Sequence, residues 1–110
     1  MPSPLRKGDN LTVLFASDSD HLPESANGDL EKLAKKMGQD ESLTLQLLAY
    51  AAADEANASN ARRLSLTRAL RVRTYLMELG VRSTRIEVRA LGNKIEGGPA
   101  DRVDLVLGSR

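Results

Sequence analysis

Between Asn60 and Gly80 the apolar side chains recur every three or four residues. At 3.6 residues per turn, Ala61, Leu64, Ala69, Val72, Tyr75, Leu76 and Leu79 fall on one broad arc, the face of a long helix that should meet a sheet. Gly80 can take the left-handed cap conformation and ends it. Ser65 and Arg68 are the two polar residues inside that arc. Arg62, Arg63, Arg71 and Arg73 fall outside it or at its margin, where water reaches them. An arginine on an apolar face keeps its charge, so Arg68 requires a carboxylate, backbone carbonyls or an anionic ligand. Leu66, Leu70 and Met77 form a smaller stripe beside Arg73, placed to pack on a neighbouring helix or on a protein partner.

The rest of the chain punctuates clearly. Leu11 to Phe15 is a short apolar run suited to a buried strand. Ala16 to Ser25 is rich in turn formers, with the sole histidine, His21, in a solvated loop. A helix from about Ala26 to Met37 puts Leu30, Leu33, Ala34 and Met37 on one face, with Gly38 as its stop. Leu43 to Tyr50 alternates and then turns continuously apolar, as a strand entering a sheet centre does. Ala51 to Ser59 is a loop of small and acidic residues. After the long helix, Ile86 to Leu91 and Arg102 to Leu107 read as two more strands around the loop Gly92 to Ala100. The order β-α-β-α-β-β describes an α/β two-layer sandwich with both helices on one face of a mixed sheet. Residues 1–10 form a flexible lead-in and 11–110 the folded domain.

Composition narrows the chemistry. A chain of 110 residues with 41% hydrophobic and 28% charged residues is an ordinary single domain with a real core. Without cysteine it has no disulfide framework, thiolate nucleophile or zinc site of the usual type. One histidine and no phosphate-cradling glycine loop leave no support for an enzyme, and no cofactor is called for. The net charge of +1 hides an acidic first half and a basic second half. That asymmetry is met by neighbouring elements complementing each other, and with only Phe15, Tyr50 and Tyr75 for stacking, nucleic acid is not the expected partner. No run approaches the ~20 apolar residues of a membrane span. The start, Met1 to Lys7, lacks the apolar core of a signal peptide. The chain is therefore expected to be cytosolic, or a domain excised from a longer protein.

These segments together resemble the OmpA-like peptidoglycan-binding domain, over about Leu11 to Leu107. Leu64-Ser-Leu-Thr-Arg-Ala69 resembles the family's Leu-Ser-x-x-Arg-Ala signature at the start of its second helix. Gly80 to Gly92 is similar to its Gly-Val, Arg-Ile, strand, Gly passage. Asp101-Arg-Val-Asp-Leu-Val106 is similar to its closing Arg-Arg-Val strand, with Asp101 in place of one arginine. The resemblance implies a non-catalytic module of the periplasm or cell envelope, anchored to a membrane only through segments outside this chain. It implies binding of the diaminopimelate in the peptidoglycan stem, an aspartate taking the ammonium and an arginine a carboxylate. The arginine carries over to Arg68. The aspartate does not: its position aligns with Ala52. Asp54, two residues on, is the expected replacement. Asn60 matches a family asparagine, although three residues rather than two separate it from Leu64. Asp18 matches a further polar position of the pocket, and Arg102 matches the second arginine of the closing strand, a pocket or structural position. The alternative is a divergent module that has lost cell-wall binding and serves in protein interaction or oligomerisation, with itself or an envelope partner. Arg68 separates the two, according to whether it faces an open pocket or an internal acid.

Overall fold

The computed structural model describes residues 10–16, 19–52, 55–94 and 100–109. Four strands and two helices appear in the expected order: β1 (Asn10–Leu14), α1 (Asn27–Gln39), β2 (Leu43–Tyr50), α2 (Ala58–Glu78), β3 (Ile86–Gly92) and β4 (Arg102–Ser109). The sheet order is β1-β4-β2-β3. β4 runs antiparallel to both its neighbours, and β3, reached through α2, runs parallel to β2. A mixed sheet with the helices on one face is therefore observed.

Alternation along the strands fixes which face is covered. Leu43, Leu45, Leu47 and Ala49 of β2, with Val103, Leu105 and Leu107 of β4, are buried toward the helices. The intervening residues are half-buried on the open face. β2 is central and keeps strict alternation, so the apolar run at its end does not mark a second covered face. Leu30, Leu33, Ala34 and Met37 of α1 and Ala69, Val72 and Leu76 of α2 complete the core. Each fully buried Leu or Val contributes about 1.5–3 kcal/mol.

The stop at Gly80 is observed in full. Gly80 has φ +102°; its N–H donates to Met77 O at 3.0 Å and that of Val81 to Leu76 O at 3.0 Å. This is the paired hydrogen bonding of a Schellman cap, closed by contact of the buried Val81 and Leu76 in the core.

Three expectations need correction. Gly38 does not end α1, which runs through it to Gln39. The break comes at the extended Asp40, whose carboxylate accepts from the N–H and hydroxyl of Ser42 at 3.0 and 2.6 Å. Leu79 lies past the last helical turn and is 37% exposed rather than in the core. Leu66, Leu70 and Met77 stay 40–41% exposed, and α1 touches α2 only sparingly.

Candidate functional site

The ends of β1 and β2, the start of β4 and the first half of α2 meet at one end of the sheet. Two polar residues of α2 hold that junction, one helical turn apart on the same face. Ser65 is fully buried; its hydroxyl donates to Arg62 O at 2.8 Å and accepts from the N–H of Gly92 at 3.1 Å. Gly92 has φ +59°, a conformation that favours glycine, and a Cβ there would sit 3.1 Å from the Arg62 backbone, a tight contact that glycine avoids. Its carbonyl accepts from Ala51 N–H at 2.9 Å, tying the same point to the end of β2.

Arg68 is fully buried, and its guanidinium is bonded inward. Nε donates to Ser19 O at 2.7 Å and Nη2 to Ala16 O at 3.0 Å. Nη1 donates to Tyr50 O at 3.0 Å and to Asp101 Oδ1 at 2.9 Å. Those bonds use four of the five N–H donors a guanidinium has. The Phe15 ring lies 5.2 Å from its central carbon, within cation–π range. Among the described residues the internal acid is Asp101. Among the described residues, paired charges leave the site with no net positive charge and Arg68 has no open fork for a carboxylate.

Asp101 connects three elements. Its backbone carbonyl accepts from Phe15 N–H at 2.9 Å, extending the β1 pairing by one residue. Oδ1 takes both the Arg68 bond and the N–H of Ala52 at 3.3 Å. The Asp101 side chain is 23% exposed against 0% for Arg68, and among the described residues Oδ2 has no partner.

Of the other expected site residues, Asn60 and Arg102 do not converge here. Asn60 is exposed on the first turn of α2, about 12 Å along the axis from Arg68. Arg102 lies on the open face of the sheet, away from Arg68. Its guanidinium is 4.3 Å from the Tyr50 ring centre, and its Nε donates to the Asp104 carboxylate at 3.1–3.2 Å. Asp18 and Asp54 lie outside the described residues. His21 is exposed. Sequence reasoning noted Asp101 only as a lost arginine and assigned Ser65 no role. The signal for Asp101 is the register: β2 and β4 pair Ala49 with Val103, and continuing two residues sets Ala51 opposite Asp101.

A groove of about 580 Å³ lies elsewhere, along the free edge of β3 between Arg62, Arg89 and Lys94. No buried polar side chain is directed into it, so the Arg68–Asp101 site is the better candidate. Among the described residues no group of histidine and acidic side chains could hold a metal, and no helix is long and apolar enough to cross a membrane.

The fold and the site define a small α/β module in which a buried arginine locks the end of the sheet. It belongs to the OmpA family, whose model matches residues 14–101. Solved structures agree on the fold. The peptidoglycan-associated lipoprotein from Burkholderia pseudomallei is 24% identical, with a TM-score of 0.79 over 96% of this chain and 93% of that one. The OmpA-like domain of FopA1 from Francisella tularensis is 22% identical, with a TM-score of 0.74 over 91% and 72%. The periplasmic domain of Helicobacter pylori MotB is 16% identical, with a TM-score of 0.73 over 96% and 78%. No curated protein sequence matches the chain.

Proposed function

We propose that this domain is a non-catalytic cell-envelope module that binds peptidoglycan non-covalently, through the diaminopimelate of the peptide stem, in the periplasm of a Gram-negative bacterium. Membership of the OmpA family supports the class of ligand. The observation that carries the reading is the buried Arg68 in the family's signature segment, with the partly exposed Asp101 carboxylate beside it. Direct capture of a ligand carboxylate by Arg68 requires the guanidinium to release Asp101 or a loop carbonyl. Its role in the closed form is to supply the positive charge that holds Asp101 in place. Cosedimentation with purified diaminopimelate-type sacculi tests the proposal. Saturable pelleting that soluble stem peptide competes away is expected; a folded domain that stays in the supernatant at every sacculus concentration would overturn it.

Two observations favour the alternative of a protein-interaction or oligomerisation module. Arg68 is closed off by the internal acid Asp101 rather than facing an open pocket. Leu66, Leu70 and Met77 present an apolar stripe at about 40% exposure on the outer side of α2. Sedimentation equilibrium separates the readings, since this alternative requires self-association or a partner and no affinity for sacculi.

A further inference from the structure

Two departures from the family pattern meet at one point. By the resemblance, position 52 lacks the family's acid and position 101 carries an acid in place of an arginine. The N–H of Ala52 donates to Asp101 Oδ1 at 3.3 Å, so the carboxylate missing from one strand end is supplied beside it by the next strand. We infer that Asp101 is the specificity-determining acid of the site, and that it recognises the amine of a diamino acid through Oδ2 while placing little demand on a second carboxylate. This rests on the peptidoglycan reading above and refines what that site selects.

The division of labour between the two oxygens carries the inference. Oδ1 is occupied by Arg68 and by Ala52 N–H, which fixes the orientation of the carboxylate. Oδ2 has no partner among the described residues, and the side chain keeps 23% of its surface. A carboxylate oxygen fixed this way is a charge-assisted acceptor for an ammonium, with no reorganisation needed on binding. Arg68 is in the opposite condition. Ser19 O, Tyr50 O, Ala16 O and Asp101 take four of its donors, so the parallel two-bond fork that would read a carboxylate is already used. A stem peptide with lysine, which has the amine without the second carboxylate, should therefore bind nearly as well as one with diaminopimelate.

The test uses the wild-type domain and three synthetic stem tripeptides: one ending in diaminopimelate, its side-chain N-acetyl derivative, and one ending in lysine. Calorimetric Kd values for the diaminopimelate and lysine peptides are expected to agree within about threefold. Acetylation should weaken binding by about tenfold or more, the loss of one hydrogen bond between charged groups. In Asp101→Asn, acetylation should make less than a twofold difference, and adding Ala52→Asp to that variant should restore it. Because the ligand changes are read on the wild-type protein, the test survives a variant that fails to fold. Binding that tolerates acetylation, or lysine binding tenfold weaker than diaminopimelate, overturns the inference and leaves the cell-wall reading standing. Absence of binding to all three peptides and to sacculi defeats both.

Discussion

The N–H of Ala52, two residues past the end of β2, donates to a carboxylate oxygen of Asp101, the residue before β4, 3.3 Å away. The same oxygen accepts from Arg68 at 2.9 Å. Three positions that lie 16 and 33 residues apart in the chain thus share one acceptor, because antiparallel pairing of β2 with β4 brings the two strand ends together. Several consequences can be measured.

Arg68 is a structural centre whatever it binds. Arg68→Leu leaves the Asp101 charge and the carbonyls of Ala16, Ser19 and Tyr50 without their donor, and should destabilise the domain by about 3–5 kcal/mol. Arg68→Lys keeps the charge. One ammonium has three donors and no planar fork, so it cannot reach four acceptors, and a loss of about 2 kcal/mol is expected. Urea unfolding with an unchanged m-value measures both; equal stability of the lysine variant and wild type would refute the bonding described.

Ser65→Ala removes the acceptor for Gly92 N–H, a bond buried between helix and strand. A loss of about 1–3 kcal/mol follows from leaving that donor unpaired. A change below 0.5 kcal/mol in the same unfolding assay would show that the serine only fills space.

Gly80 and Gly92, both with positive φ, separate strain from collision. Gly80→Ala meets open space and should cost about 1–2 kcal/mol for the left-handed backbone alone. Gly92→Ala adds a Cβ at 3.1 Å from the Arg62 backbone, so it should cost at least about 1 kcal/mol more, or about 4 °C further in Tm. Gly38→Ala should go the other way. That residue is helical and exposed, with nothing within 4 Å of an added Cβ, and a gain of about 0.5 kcal/mol is expected. Thermal melts of the three variants should rank Gly38→Ala above wild type, then Gly80→Ala, then Gly92→Ala.

The exposed stripe on α2 distinguishes the two proposed functions. Replacing Leu66, Leu70 and Met77 together with Gln should leave sacculus pelleting unchanged and alter stability by no more than about 1 kcal/mol, as expected of surface positions. Loss of pelleting in that variant, with a fall in sedimentation coefficient, would move the function to this face.

Most of the architecture could be read from periodicity. The arc on α2, the alternation on β2 and β3 and the left-handed stop at Gly80 are local patterns, and local sequence determines them. The arginine on the apolar arc was equally visible, because a charge among Leu64, Ala69 and Val72 demands a partner. Which partner it has depends on strand order. A closing strand inserted between β1 and β2 delivers Asp101, and nothing near Arg68 in the sequence announces that. Gly38 misled for a related reason: glycine marks a helix end only where φ turns positive, and here the end came from Asp40 and its bonds to Ser42. Arg102 alternates onto the open face, a consequence of β-strand period two that family alignment alone does not weigh.

The most direct test of the central claim is an amide NMR titration of the domain with a diaminopimelate stem peptide. Ligand seated at the Arg68–Asp101 junction should shift the amides of Phe15, Ser19, Ala52 and Asp101 in a saturable way, with one common Kd. Shifts confined to the β3-edge groove around Arg62, Arg89 and Lys94, or no shifts at millimolar peptide with the spectrum still folded, would contradict it.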